Sequence, residues 1–347
     1  RIAKLMRAES ASRNLSALEG WANFLLGFVH YEWNDLDAAE HHLAHLVAYW
    51  YRMPAMVTRH GAAGLVSVHL ARGDTATAEQ VLTFVCERDL QNRGRPGAIT
   101  QSLQARLWLA TGKVNEAVVW AEACNEPMSL INMLLWEVPQ LTKAQALLAL
   151  GTRDAALRTL QVADEVSVFS IETHSARRVI QATALRAVIF DALGDATAAE
   201  ANLLQALALG LPGRSIRVFV DLGRPMYDLL AALSAGELLA PYVLQILAAF
   251  TEQEARHSLK TADVAALPPS NNAHKQPPAL VEPLTRRELD VLTLLREPLG
   301  IKEIAHKLNI SYATAKRHSI NLYGKLGVHS RWDAVAKAEA FGILSPR

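Results

Sequence analysis

At 347 residues with 51% hydrophobic content, the chain is long enough for two domains and too apolar to remain disordered. Its net charge of +1 singles out no partner, but residues 284–347 hold 11 Lys or Arg against 6 Asp or Glu, while residues 1–283 hold 24 against 28. The basic tail is therefore the part suited to a polyanion. Two cysteines, Cys86 and Cys124, exclude a disulfide framework and read as small buried hydrophobes. There is no secretory signal and no long apolar span, so a reducing cytoplasm and no membrane are expected. The chain opens at Arg1 inside an apparent helix, which predicts that it is the C-terminal piece of a longer protein.

Over residues 1–260, Ala and Leu recur at three- and four-residue spacing and alternating β-branched runs are few, so the class is all-α. One unit recurs in this region, as "WNDLDAAEHHL", "RGDTATAEQVL", "TGKVNEAVVWA", "LGTRDAALRTL" and "LGDATAAEANL". Aligned on the alanine that follows the turn, these place Ala39, Ala78, Ala117, Ala156 and Ala199 at steps of 39, 39, 39 and 43. A Gly or Asn ends one helix, and a small residue lets the next pack closely against it. That pattern predicts a helix-pair solenoid. It resembles a tetratricopeptide array with helices lengthened beyond the usual period of about 34 residues.

In the tetratricopeptide register the first helix of each pair lines the concave side. The register points Trp21, Phe24, Phe28, Tyr31 and Glu32 of the first unit, and His60, Ser67, Arg106, Gln145 and Gln181 of later ones, toward a groove. Six of the seven Trp also fall in this region. Aromatic faces among polar groups suit a sugar or another small amphipathic effector, although Trp and Phe at helical spacing are more often core than pocket. His41 and His45 in "HHLAH" lie one turn apart, but no third ligand is arranged beside them, so a polar helix face is expected and no metal.

A further helix pair, Arg214–Leu233 and Pro241–Phe250, is predicted to cap the array. Residues 261–283 then read as a linker, with five prolines in "LPPSNNAHKQPPALVEP". Residues 284–347 form the tail. Thr285 with Glu288 makes a capping box for a first helix, and "IKEIAHKL" makes a second. After the tight turn "NIS", Ser311 caps a third helix, Tyr312 to Leu326. Its inward stripe is Ala315, Ser319, Leu322 and Leu326, and the opposite stripe carries Ala313, Lys316, Arg317, Ile320 and Gly324. Two cations and one apolar side chain among small residues suit entry into a DNA groove, as in a helix-turn-helix reader.

The run "LT-RE", "VL-LL", "KEIA-KL-IS", "T-K-H", "N-Y-KLGV-SR" and "AV" over Leu284–Leu344 resembles the LuxR-type (GerE-type) DNA-binding domain, a four-helix helix-turn-helix unit. This resemblance implies that Lys316, Arg317 and Ile320 face base edges. It implies that Thr314, His318, Lys325 and Arg331 lie near phosphates, with Asn321 and Lys302 in the same DNA-binding set. A last helix from Arg331 to Phe341 would supply dimer contacts. With the array in front, and with "FVDLGRPMYDLLAAL", the chain resembles the C-terminal part of the large MalT-like LuxR regulators.

In that family an ATP-binding domain precedes the repeat domain, and inducer and ATP promote self-association and transcription activation. The resemblance thus implies double-stranded DNA, an inducer or partner protein, a homodimer or higher oligomer on DNA, and RNA polymerase as partners. No GxxxxGK[ST] loop occurs, so no cofactor is expected in this chain, and ATP only through an upstream domain. No catalytic motif appears, so an enzyme is not expected. The alternative is a helical-repeat adaptor whose tail does not read DNA.

Overall fold

The computed structural model describes residues 3, 5, 6, 9, 16–48, 54–131, 135–234, 236–265, 284–297, 299–326, 328, 331–340 and 343–344. Among them there are helices and turns and no strand. No helix among them is long and apolar enough to cross a membrane. The chain divides into two compact units, Arg1–Ala266 and Leu267–Arg347.

Five antiparallel helix pairs run through the first unit: α1 (Ser16–Glu32) with α2 (Leu36–Ala48), α3 (Ala55–Ala71) with α4 (Thr75–Arg93), and α5 (Ala98–Ala110) with α6 (Val114–Ala123). The last two are α7 (Pro139–Leu148) with α8 (Arg153–Glu172), and α9 (Ala176–Leu193) with α10 (Ala196–Gly210). Each turn within a pair holds one residue in the left-handed region: Asn34 (φ 62°), Gly73 (68°), Gly112 (76°), Gly151 (68°) and Gly194 (82°). That conformation costs least for Gly and Asn, which is why the repeat is punctuated by them. Directly after the turn, Asp35, Asp74, Thr152 and Asp195 accept from backbone N–H groups of the following helix at 3.0–3.2 Å, capping it. The repeat alanines Ala39, Ala78, Ala117, Ala156 and Ala199 are all at most 2% exposed. At such fully buried positions a larger side chain would push the packed helices apart.

The predicted capping pair differs in one respect. Arg214–Leu233 is broken into α11 (Arg217–Val220) and α12 (Arg224–Ala232). Gly223 at φ 70° turns the chain there, and Pro225 opens the next helix. Helix α13 (Ala240–Ala265) then continues past residue 260, where the array was expected to end, because nothing before Pro268 breaks a helix. The remaining linker positions, 266–283, lie outside the described residues.

Two long-range features shape the first unit. The segment from Leu135 to Val138 enters between the helix pairs, with Leu135, Trp136, Glu137 and Val138 all buried. Trp136 packs against Phe28 and Tyr31 (ring centroids 5.3 and 4.9 Å) and donates from Nε1 to Ser67 Oγ at 3.1 Å. Gly64 is required beneath it, since a Cβ there would stand 2.9 Å from the Trp136 ring. The capping segment also returns to the first repeat. Ile216 N donates to Glu32 O at 2.7 Å and Trp33 Nε1 to Gly213 O at 2.9 Å.

The second unit comprises α14 (Arg286–Leu295), α15 (Ile301–Lys307), α16 (Tyr312–Leu326) and α17 (Arg331–Ala340). They close on a core that includes Val291, Leu292, Leu295, Ile304, Leu322, Leu326, Ala334 and Ala338.

Candidate functional site

In the second unit the capping box is fully formed. Thr285 Oγ1 accepts from Glu288 N at 3.3 Å, and Glu288 Oε2 accepts from Thr285 N at 2.8 Å. Burial alone would raise the Glu288 carboxyl, but the Thr285 backbone N–H and the Lys325 ammonium, 3.1 Å away, hold it below the usual range. The turn into α16 passes through Asn309 at φ 51°, and Ser311 Oγ accepts from Thr314 N at 3.1 Å. Helix α16 is thereby seated with two different faces. Ala315, Ser319, Leu322 and Leu326 are at most 4% exposed, and the Ser319 hydroxyl is satisfied by donating to Ala315 O at 3.0 Å. Lys316, Arg317, Ile320 and Asn321 are exposed on the other face, Ile320 by 59%. Thr314 and His318 flank them half-buried, and Lys302 is exposed on α15.

In the first unit a cavity of about 500 Å³ opens among the helix pairs. Its walls are mostly apolar, with Leu109, Leu148, Leu185 and Val188 among them, and its polar groups are Tyr31, Ser67, Arg106, Gln145, Arg217, Asp221 and Gln253. A smaller adjoining pocket adds Gln181. Beside the cavity lies a buried ionic network. Glu137, 0% exposed, accepts from Ser102 at 2.6 Å and Thr142 at 2.7 Å, and pairs with Arg106 at 3.0 Å. Burial alone would raise the Glu137 carboxyl; Arg106 and these hydroxyls overcome that and lower it. Tyr31 donates to Asp221 at 3.0 Å, Asp221 also pairs with Arg217, and Arg217 stacks over the Tyr31 ring at 5.2 Å. Burial, then the charge of Asp221, raises the Tyr31 hydroxyl, so it remains a neutral donor. Among the described residues, no group of three or more His, Cys, Asp or Glu is placed to hold a metal.

With both sites in view, comparison with known proteins decides the lineage. Residues 4–236 match the family described as "MalT-like TPR region", and residues 282–338 match "Bacterial regulatory proteins, luxR family". The chain belongs to the MalT-like family. The tail is 44% identical over 68 residues to the HTH-type transcriptional regulator MalT of Yersinia enterocolitica. It is 43% identical over the same length to those of Yersinia pestis and Yersinia pseudotuberculosis. Each match covers 19% of this chain and 8% of the relative, so the chain spans only a small part of these proteins' length.

Of the groove candidates in this MalT-like array, Tyr31, Ser67, Arg106 and Gln145 line the large cavity and Gln181 the smaller one. Five others do not line either cavity. Phe24 (2% exposed) and His60 (1%) are core, and Trp21 packs against that core. Phe28 lies between Trp136 and the Arg177 guanidinium, 4.6 Å above its ring, and Glu32 is buried against Arg177 at 2.6 Å. For Phe28 and His60 the reason is the Leu135–Val138 segment: Trp136 packs on Phe28, and the Glu137 N–H donates to His60 Nδ1.

In the tail, two residues expected at phosphates are committed internally. Arg331 donates to the carbonyls of Leu295 (2.6 Å), Leu299 (2.5 Å) and Glu297, closing the C-terminal end of α14. Lys325 is held by Glu288. Phe341, the expected end of the last helix, lies outside the described residues. His41 is an exposed helix-face residue, and His45 contacts Asn23 at 3.3 Å, while Cys86 and Cys124 are free thiols that are only half-buried, not the buried hydrophobes expected. Sequence reasoning missed Trp136, Glu137, Arg217 and Asp221; a carboxylate flanked by apolar residues in "LWEVPQ" was the one local signal of a buried charge.

His60 gives a pH prediction. Its Nδ1 accepts from Glu137 N at 3.0 Å, and burial pushes its pKa down to about 4 from 6.5. The folded state keeps His60 neutral while the unfolded chain binds a proton, so its contribution is complete above pH 6.5 and is lost as pH falls toward 4. Array stability therefore drops by about 2 kcal/mol between pH 7.5 and 5 from this residue. Denaturant unfolding across that window, compared with His60→Asn, checks it: an equally steep slope in the variant assigns the loss elsewhere.

Proposed function

We propose that this chain is a DNA-binding transcription regulator, acting as an activator, whose helical array senses a small molecule and thereby controls pairing or release of the helix-turn-helix tail. The observation that carries the reading is the two-faced helix α16. Its apolar stripe is buried, while Lys316, Arg317 and the solvent-exposed Ile320 share the other side. An isoleucine left in water beside two cations suits contact with a thymine methyl group, with Lys316 and Arg317 directed at guanine edges. On this reading Asn321 and Lys302, both exposed, and the half-buried Thr314 and His318 support the same approach to the duplex. The sensing half is supported by the cavity, which has the size and the mix of apolar wall and few polar groups typical of small-molecule sites. On this reading the protein works in the cytoplasm as a homodimer on paired half-sites and engages RNA polymerase.

The test is selection from random duplex DNA with the native chain and the Lys316→Ala/Arg317→Ala variant at two salt concentrations. The native chain is expected to enrich a two-half-site motif. The variant is expected to bind that motif at least about 30-fold more weakly. Failure of the native chain to enrich any motif at low salt sinks the DNA-reading proposal and favours the adaptor.

A further inference from the structure

A buried ionic network lies beside the array cavity. Arg106 pairs with Glu137, Arg177 with Glu32 and Arg217 with Asp221. Arg178, buried and 1% exposed, joins them through Gln181 Oε1 at 2.6 Å and the backbone carbonyls of Leu135 and Trp136. Burial, followed by the neighbouring charge of Arg177, depresses the Arg178 pKa well below the usual range, while Glu137 and Glu32 act in the opposite direction.

One member of this network, Arg106, reaches the cavity wall. Arg106 engages Glu137 and Thr142 through Nε alone, at 3.0 Å each. Its two Nη nitrogens have no hydrogen-bond partner among the described residues, and the side chain is 21% exposed where it lines the cavity. One turn from the exposed Ala149, the Gln145 amide lines the same wall and likewise has no side-chain partner. Asp221 is the acidic residue of this wall, and it is already satisfied by Arg217 and Tyr31. An open, charged fork beside a free amide, with leucine and valine walls beyond, matches a planar two-oxygen anion carrying an apolar body.

We infer that the array cavity binds a small aliphatic or aromatic carboxylate, its two oxygens on the Arg106 fork and Gln145, and its hydrocarbon against Leu109, Leu148, Leu185 and Val188. This assignment rests on the reading of the cavity as the effector site and names the ligand class. The bound carboxylate occupies the Nη donors that Arg106 leaves open at the wall. Occupancy thereby stabilises the junction of Arg106, Asp221 and Tyr31 that links the middle repeats to the first and the last.

The test uses the full chain with hexanoate, benzoate and 4-phenylbutyrate against their primary amides and a neutral disaccharide, read by melting temperature and calorimetric titration. At least one acid should bind about tenfold or more tightly than its amide, since a charge-assisted pair on the fork is absent from the amide. Arg106→Lys keeps a cation for Glu137 but removes the fork, and should erase the preference for acid over amide. Ala149→Trp, at an exposed position of the wall, should abolish binding, with its ligand-free melting temperature and unfolding cooperativity measured alongside to establish that the array remains folded. No stabilisation by any acid overturns the carboxylate assignment. Binding of the amides or the disaccharide alone, lost in Ala149→Trp, overturns it while leaving the effector site standing. If transcription from the selected operator responds to culture conditions identically in the native chain and in Ala149→Trp, the cavity is not an effector site and both readings fall.

Discussion

Replacing Glu137 with alanine is expected to destabilise the array by about 3–5 kcal/mol, the range for removing one partner of a buried ion pair. The carboxylate is 0% exposed, and three groups converge on it: Arg106, Ser102 at 2.6 Å and Thr142 at 2.7 Å. Removing it leaves the Arg106 guanidinium with only Thr142 among its protein partners, and strands two buried hydroxyls. Glu137→Gln retains acceptor geometry toward the hydroxyls and should cost less, which separates the charge from the hydrogen bonds. Denaturant unfolding followed on the array's own transition reads both variants. A loss under about 1 kcal/mol for Glu137→Ala would mean that water enters and replaces the carboxylate.

The features that sequence revealed are those whose physical cause is local. A left-handed turn residue and a small residue at the helix crossing must recur in every pair, so Asn34, Gly73, Gly112, Gly151 and Gly194 and the alanines that follow them mark the repeat directly. Helical periodicity likewise separates the buried Ala315, Ser319, Leu322 and Leu326 from the exposed Lys316, Arg317 and Ile320. The cavity depends instead on contacts that no period encodes. Tyr31 meets Asp221 across 190 positions, and Glu137 receives Ser102 across 35. The tetratricopeptide register assumes an open concave face; here Trp136 packs on Phe28 and Glu137 on His60, while Arg106 and Gln145 remain at the ligand wall. A buried carboxylate between Trp136 and Val138 advertises that some partner must exist, but only the folded chain identifies Arg106.

Arg331→Ala is expected to destabilise the tail by about 2–3 kcal/mol, through the backbone carbonyls at the end of α14 and not through lost contact with DNA. The last carbonyls of a helix have no partner within it, and here the guanidinium fork spans Leu295, Leu299 and Glu297 at once. An ammonium group cannot reproduce that fork, so Arg331→Lys should recover little of the loss. The salt dependence of DNA binding distinguishes this role from a phosphate contact. Each phosphate contact removed lowers the slope of log affinity against log salt by about 0.9. At a temperature where the tail remains folded, Arg331→Ala should leave that slope unchanged, whereas removing an exposed phosphate-contacting cation on α15 or α16 should reduce it. A reduced slope in Arg331→Ala with an unaltered melting temperature would instead mean that the guanidinium leaves the α14 carbonyls when DNA binds. The end of α14 would then be closed only in the free protein, and its opening would weaken binding by the energy of the released hydrogen bonds.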